Sequence, residues 1–264
     1  MIIDFHTHCF PEKLAQKAIP KLSYVSGGLI PNTDGTADGL KKQMKEQNID
    51  ISVVMNIATN PTQQKNVNDF AGSINNLSDI YSFGSVHPHA PNAIEELERI
   101  KAMGMKGVKL HPDYQGFEVD DIKLKPIYKK ISELGLITLF HAGADYGFAP
   151  PYGCTPEKMA TALKWFNSPV IAAHWGGIGY SEDVLKHLCG TDIYFDTAFG
   201  YSMIPKFYVQ QIIKKHGTSK IVFGTDTPWH TPYMEMCLLN SLDLDDTDMD
   251  KIKYKTAKKL LNIQ

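Results

Sequence analysis

The sequence is short of arginine and has no excess of charge of either sign. Arg99 is the only arginine, and the other basic residues are lysines. The 27 basic and 29 acidic residues leave a formal net charge of −2. A strongly basic surface of the kind that binds nucleic acid or an anionic membrane is therefore not expected.

Long apolar runs and closely spaced cysteines are also missing. The N-terminus, MIIDFHTHCF, has neither a basic segment nor a long hydrophobic stretch, so we expect no signal peptide or membrane anchor. No CxxC motif occurs among the four cysteines, Cys9, Cys154, Cys189 and Cys237. They are predicted to be reduced thiols of a cytoplasmic protein.

What the sequence does contain is a regular succession of short apolar segments. They are rich in β-branched and aromatic residues and too continuously apolar to face solvent on one side, which is typical of strands buried on both faces. The predicted strands are Met1–His8, Ile51–Ala58, Ile80–His87, Met105–His111, Leu136–His141, Val170–His174, Asp192–Ala198 and Ile221–Asp226.

Amphipathic stretches with apolar residues at three- and four-residue steps lie between these segments. The predicted helices are Asp38–Asn48, Thr62–Asn76, Asn92–Met103, Asp121–Leu134, Pro156–Phe166, Ser181–Leu188, Ile204–His216 and Asp246–Leu261. Strict alternation of strand and helix indicates parallel βαβ units. Eight such units predict an α/β fold, a single (β/α)₈ TIM barrel that spans residues 1–264 as one domain. The alternative is a doubly wound open sheet, but the chain has no Gly-rich phosphate loop.

Two intervals are predicted to be long loops. Cys9–Thr36 follows the first strand, and Ala142–Thr155 follows the fifth. Both leave the C-terminal ends of strands, where barrels have their active sites. The second loop is rich in Gly, Pro and aromatic residues and is predicted to be either an ordered lid or a well-packed surface loop.

Ionisable residues stand at the C-terminal ends of five predicted strands. They are His6 and His8 on the first, Lys109 and His111 on the fourth, His141 on the fifth, His174 on the sixth and Asp226 on the eighth. Residues two apart on a strand share a face, so His6 and His8 project together. Barrel closure would gather four of the histidines, His6, His8, His141 and His174, and Asp226 into one small volume.

Burying so many ionisable groups together is costly unless a cation binds them. Imidazoles with one carboxylate suit Zn²⁺, with Fe²⁺, Mn²⁺ or Co²⁺ as alternatives, and the lack of thiolate ligands argues against a structural zinc site. The sequence therefore predicts a divalent metal centre, with Zn²⁺ as the expected ion. Among the remaining histidines, His87 and His89 could line the barrel mouth, whereas His187, His216 and His230 are predicted to be structural or exposed.

The same residues carry a resemblance to a known family. The segments MIIDFHTH, GVKLHP, FHAG, AAHWGG and FGTDTPW resemble successive strand-end motifs of the amidohydrolase superfamily. They are most similar to its amidohydrolase-2 branch, which contains hydrolases and decarboxylases. The resemblance extends from Met1 to the closing TAKKLLNI segment, so it covers essentially the whole chain.

The resemblance implies a role for each of these residues. The metal ligands would be His6, His8, His141 and Asp226. Asp226 would also take the proton from the attacking water, and His174 would assist catalysis.

Lys109 occupies the position at which binuclear members carry a carboxylated lysine between two metals, whereas TatD-type nucleases have a glutamate there. Together with His111 and His174, it is a candidate for binding a second metal or the substrate. One ion is expected, because this branch usually has one, and two ions are the alternative.

The implied activity is hydrolysis of an amide, ester or lactone bond of a small molecule by a metal-activated water. The alternative is non-oxidative decarboxylation of a small unsaturated or aromatic acid. Arginine is the natural partner of a carboxylate, and Arg99 lies in a predicted helix away from the mouth, which favours the hydrolase. A catalytically silent metal-binding barrel is a third hypothesis, and a homodimer is the default assembly.

Overall fold

The computed structural model describes residues 1–77 and 79–263, and each of its eight strands lies within one of the predicted segments. The strands are β1 Ile3–Thr7, β2 Ile51–Met55, β3 Ile80–Phe83, β4 Gly107–Leu110, β5 Ile137–Phe140, β6 Val170–Ala172, β7 Tyr194–Asp196 and β8 Ile221–Val222. They are shorter than predicted because the polar residues at their C-terminal ends leave the hydrogen-bonded ladder.

Helices connect these strands on the outside. They are α1 Glu12–Val25, α2 Ala37–Glu46, α3 Gln64–Ile74, α4 Ala93–Ala102, α5 Pro112–Gln115, α6 Lys125–Glu133, α7 Pro156–Ala162, α8 Ser181–His187, α9 Gly200–Met203, α10 Lys206–His216, α11 Pro232–Asn240, α12 Asp246–Asp250 and α13 Thr256–Leu261. A π-helical turn, Lys251–Lys255, joins the last two helices.

The strands form a closed parallel barrel. Strands β1 to β3 pair in order, and so do β4 to β8. Parallel bridges between Gly84 and Val108 and between Thr7 and Thr227 join the two runs. At the second seam the amide of Asp226 donates to the carbonyl oxygen of His6 at 2.7 Å. The predicted (β/α)₈ barrel is confirmed.

Two hydrophobic clusters stabilise the barrel. The smaller cluster takes residues from opposite strands, such as Phe5, Phe83, Leu139 and Ile171, and therefore fills the interior. The larger cluster packs the outer faces of the strands against the helices. The interior cluster supports the strand ends from below, so their polar side chains lie in one layer at the mouth.

Four helices were not predicted, namely the single turns α5 and α9 and the longer α1 and α11. The helix α1 lies inside the predicted loop Cys9–Thr36 and has Pro20 in its interior, a residue that usually ends a helix. The helix α11 is apolar nearly all round and shows no amphipathic pattern. Within the described ranges, no helix combines the length and the apolar character that a bilayer span requires.

Candidate metal centre

The first group of predicted ligands lies where β1 and β8 meet. Nε2 of His6 and Nε2 of His8 are 3.2 Å apart. Oδ1 of Asp226 lies 2.9 Å from Nε2 of His8 and 3.5 Å from Nε2 of His6. A register shift in β1 between Asp4 and Thr7 falls at His6, and bulges of this kind re-aim side chains near sites.

The hydrogen bonds at Nδ1 of His6 and His8 determine whether their Nε2 atoms carry a proton or a lone pair. Nδ1 of His8 lies 2.8 Å from the carbonyl oxygen of Met55, which can only accept a hydrogen bond. Nδ1 of His6 lies 2.7 Å from Oδ2 of Asp196. Both Nδ1 atoms therefore donate, and both Nε2 atoms present lone pairs. Two lone pairs and a carboxylate oxygen that converge in this way form a donor set that fits a divalent cation.

A second pair of imidazoles lies next to the first. Nε2 of His174 and Nδ1 of His141 are 3.1 Å apart, and Nε2 of His174 lies 4.0 Å from Oδ2 of Asp226. The opposite nitrogens face carbonyl oxygens, that of Ala198 at 3.4 Å for His174 and that of Ala144 at 3.2 Å for His141. These carbonyls accept, so His141 and His174 also direct lone pairs at each other.

Lys109 lies beside the first group. Its Nζ lies 3.3 Å from Nε2 of His6, and only 1% of the residue is exposed. Burial lowers the pKa of Lys109 to about 8, although Asp226 and Asp196 oppose this shift. We refer to His6, His8, Lys109, His141, His174 and Asp226 as the candidate centre.

The electrostatics of the candidate centre keep its ligands in their metal-binding forms. Burial would raise the pKa of Asp226, but positive charge on His6, His8 and His174 holds it well below its usual range, so a cation among these residues favours its ionised form. Burial also lowers the pKa values of His6 and His174, and that of His141 falls well below its ordinary value. A neutral imidazole and an ionised carboxylate are the forms that bind metals.

Backbone strain is concentrated at the same place. His174, Trp175 and Asp226 have φ values of 58°, 56° and 66°, in the left-handed region that residues other than glycine rarely adopt. Strained residues of this kind cluster at functional sites, where the surrounding structure holds them. Here the strain accompanies the outward turn of the chain after β6 and β8.

The family model described as Amidohydrolase (Amidohydro_2) matches residues 3–263. The chain belongs to this amidohydrolase family. The resemblance drawn from the strand-end motifs is thereby confirmed. No curated protein matches the sequence.

Solved structures share this fold at low sequence identity. An uncharacterised TIM-barrel protein from Bordetella bronchiseptica is 17% identical, with a TM-score of 0.78 over 99% of this chain and 98% of that chain. A probable 2-pyrone-4,6-dicarboxylic acid hydrolase from Acinetobacter baumannii is 16% identical, with a TM-score of 0.70 over 99% of each chain. A dihydroxybenzoic acid decarboxylase from Polaromonas sp. JS666 with bound manganese is 15% identical, with a TM-score of 0.70 over 99% of this chain and 96% of that chain.

Not every predicted residue of the amidohydrolase site joins the same group. His6, His8 and Asp226 bring their ligand atoms within 4.8 Å of one another, whereas His141 belongs to a separate group with His111 and Asp145. The rings of His111 and His141 stack at 4.1 Å. His111 accepts from the amide of Tyr114 through Nδ1, and its Nε2 lies 3.3 Å from Oδ2 of Asp145. His111 therefore packs against His141 and is not part of the group formed by His6, His8 and Asp226.

Asp196 is the residue of this site that sequence reasoning missed. It ends β7, and its Oδ1 accepts from the amides of His174 at 2.7 Å and Ala198 at 3.2 Å while Oδ2 holds His6. Each of its oxygens therefore positions a different part of the candidate centre. The available signal was a buried-strand segment that ends in a carboxylate, which is the same signal that identified Asp226.

The remaining histidines are distributed as follows. His87 is buried after β3, and His89 lies beside it with its Nε2 3.4 Å from the carbonyl oxygen of Gly116. His216 is buried against Phe195 and bonds backbone atoms, so it is structural. His230 is buried at the mouth rather than exposed.

Proposed function

We propose that this amidohydrolase is a metal-dependent hydrolase that acts on an amide, ester or lactone bond of a small molecule. The observation that supports it is the convergence of two imidazole lone pairs, from His6 and His8, with Oδ1 of Asp226. His141 would complete the ligand set through Nδ1. Zn²⁺ is the proposed ion, since imidazoles with one carboxylate are a ligand set typical of catalytic zinc.

A divalent ion held there would supply Lewis acidity, which makes water nucleophilic near neutral pH and polarises a substrate carbonyl. Asp226 can hold the metal through Oδ1 and accept the proton of the attacking water at Oδ2, later passing it to the leaving group. Nε2 of His174, 4.0 Å from Oδ2 of Asp226, could accept a hydrogen bond from that water and so orient it.

The surroundings support a small substrate. The side chains of His8 and Asp226 are only 11% and 12% exposed. The loop after β5 covers this side of the mouth, because Asp145 contacts His111 and the hydroxyl of Tyr146 lies 3.1 Å from Sδ of Met203 on α9. A polymer would not reach buried ligands past such contacts. A cytoplasmic location and a homodimer stay predictions.

A decarboxylase is the second candidate. The buried ammonium of Lys109 beside His6 favours it, because this charge could balance a substrate carboxylate near the metal. Against it, the guanidinium of Arg99 donates to Asp69 and Glu96 on the outer helices α3 and α4. Because Arg99 is the only arginine of the sequence, no arginine can bind a substrate carboxylate at the mouth.

The experiment that tests the proposal combines a metal assay with two substrate panels. Zinc-loaded protein is supplied with activated esters, lactones and amides in one panel and with hydroxybenzoate-like acids in the other. Turnover of the first panel that is lost with a chelator and restored by zinc supports the hydrolase. CO₂ release from the second panel without hydrolysis of the first would support the decarboxylase instead.

A further inference from the structure

We propose that His230, held by Glu235, binds a carboxylate of the substrate that is remote from the candidate centre. The inference rests on the proposed function and adds a substrate class to it. The substrate would be an acid in which a free carboxylate is separated from the bond that reacts at the metal.

His230 stands at the barrel mouth, one aromatic ring away from the candidate centre. It follows Asp226 in the loop after β8, and the hydroxyl of Thr227 donates to its carbonyl oxygen at 3.1 Å. Its ring stacks on Phe199 with a centroid distance of 5.2 Å. Phe199, which has a left-handed φ of 60°, also contacts the ring of His174 at 5.7 Å. A small molecule that contacts the candidate centre could therefore extend to His230.

The two nitrogens of the ring have different surroundings. Nδ1 lies 2.5 Å from Oε1 of Glu235, the buried acid of α11. Nε2 lies 3.3 Å from the hydroxyl of Ser202, an exposed residue of α9. Glu235 therefore occupies the Nδ1 side of the imidazole, and Nε2 lies next to a hydroxyl that can rotate to donate or accept. Nε2 is thus the atom available to a ligand.

Glu235 is the acid that faces His230, and the backbone of Tyr201 also lowers its pKa through a hydrogen bond. Glu235 is completely buried, and burial raises its pKa to about 7 even though His230 opposes the shift. A buried carboxylate is costly unless a cation accompanies it. In the part of the chain that the structure describes, His230 is its only partner within 4 Å that can carry positive charge. An imidazolium paired with Glu235 would be a charge-assisted donor at Nε2, suited to a carboxylate.

Three other basic groups, Arg99, Lys109 and His111, are committed elsewhere. Arg99 is held between acidic side chains of α3 and α4. Lys109 lies against His6 inside the candidate centre, and His111 is paired with Asp145. His230 differs from these three because, in the described part of the chain, its Nε2 lies next to the neutral hydroxyl of Ser202. A carboxylate away from the metal could therefore pair with it.

Calorimetric titration of the zinc-loaded protein with simple acids tests this inference. The probes are succinate, glutarate and adipate, each compared with the monocarboxylate of the same chain length. Wild-type protein is expected to bind at least one dicarboxylate about tenfold more tightly than its monocarboxylate partner, since charge-assisted hydrogen bonds have that strength. His230→Gln should remove this preference, and Glu235→Gln should reduce it, while both keep the wild-type affinity for the monocarboxylate.

His216→Gln is the matched control, because that buried histidine bonds backbone atoms away from the mouth and should keep the preference. If His230 were merely structural, His230→Gln would lower the melting temperature and leave the ratio of dicarboxylate to monocarboxylate affinity unchanged. The inference is overturned if wild-type protein shows no preference in any of the three pairs, or if His230→Gln retains it. Zinc analysis of the same samples separates the two proposals: protein that takes up no zinc contradicts the proposed function, whereas zinc-bound protein without the preference contradicts only the role of His230.

Discussion

Oδ2 of Asp196 lies 2.7 Å from Nδ1 of His6, and this contact joins the end of β7 to the end of β1 past the intervening β8. Because an ionised carboxylate only accepts, the contact places the proton of His6 on Nδ1 and its lone pair on Nε2. Partners of this type orient metal-binding histidines and raise their basicity. Asp196 is therefore a positioning residue for the candidate centre.

Asp196→Asn should weaken zinc binding by about 10- to 100-fold, the usual cost of removing such a partner. The amide keeps the size of the side chain but loses the charge that stabilises the tautomer of His6. Competition with a chromophoric zinc chelator measures the affinity. Asp192→Asn, at a site whose side chain is 92% exposed, is the control and should change nothing. Equal affinities of Asp196→Asn and wild-type protein would show that Asp196 has no role in binding.

Asp226→Asn should reduce kcat for any hydrolysed substrate by about 10²- to 10⁴-fold, the range attributed to a positioned general base. An amide oxygen can still face a metal, so part of the zinc should remain bound. Steady-state kinetics and elemental analysis on one preparation check both statements. A fully active Asp226→Asn variant would refute the proton-transfer role of Asp226.

Asp4 should make the stability of the protein depend on pH. Burial raises its pKa to about 8, although its hydrogen bonds with Thr225 and the amide of His6 oppose the shift. Between pH 4 and 8 the carboxyl of the unfolded chain ionises while that of the folded chain stays protonated, so the free energy of unfolding falls across this window. It should change little from this source below pH 4 or above pH 8.

Asp4→Asn mimics the protonated carboxyl and should remove this fall. In chelator-treated protein, its advantage over wild type should grow by a few kcal/mol between pH 4 and 8. Urea unfolding across this range measures the difference. A constant difference between the two proteins would contradict the assignment.

Lys109 should decide how many metal ions bind. With the free ammonium beside His6, one equivalent of zinc per chain is expected. A carboxylated Lys109 would instead let the lone pairs of His141 and His174 hold a second ion. Two equivalents of zinc, together with a mass gain of one CO₂ that Lys109→Met abolishes, would establish the binuclear form and contradict the expectation of one ion.

The strand-end residues could be predicted because they break a pattern. His6, His141 and His174 each end a short apolar segment, and a parallel barrel must bring such ends to one face. Neither α1 nor α11 could be predicted in the same way. α1 contains Pro20, which argues against a helix, and in α11 nearly every position is apolar, so the periodicity that marks an amphipathic helix is absent.

The sequence could not predict which side chains contact one another. His8 and His111 both follow apolar strands, yet His8 reaches Asp226 whereas His111 turns towards Asp145. Which way each ring points depends on local turns, such as the one in which His111 accepts from the amide of Tyr114. The role of Asp196 depends likewise on how β7, β8 and β1 are aligned with one another, which no periodicity in one strand reveals.

The central claim, that His6, His8 and Asp226 bind one divalent cation, is tested most directly by equilibrium dialysis against Zn²⁺ followed by elemental analysis. Wild-type protein and the control His187→Asn, altered at the end of α8, should retain zinc equally. His8→Asn should bind it at least about 100-fold more weakly, because it removes a ligand rather than a supporting group. Wild-type protein that retains no zinc, or a His8→Asn variant that retains as much as wild type, would contradict the account.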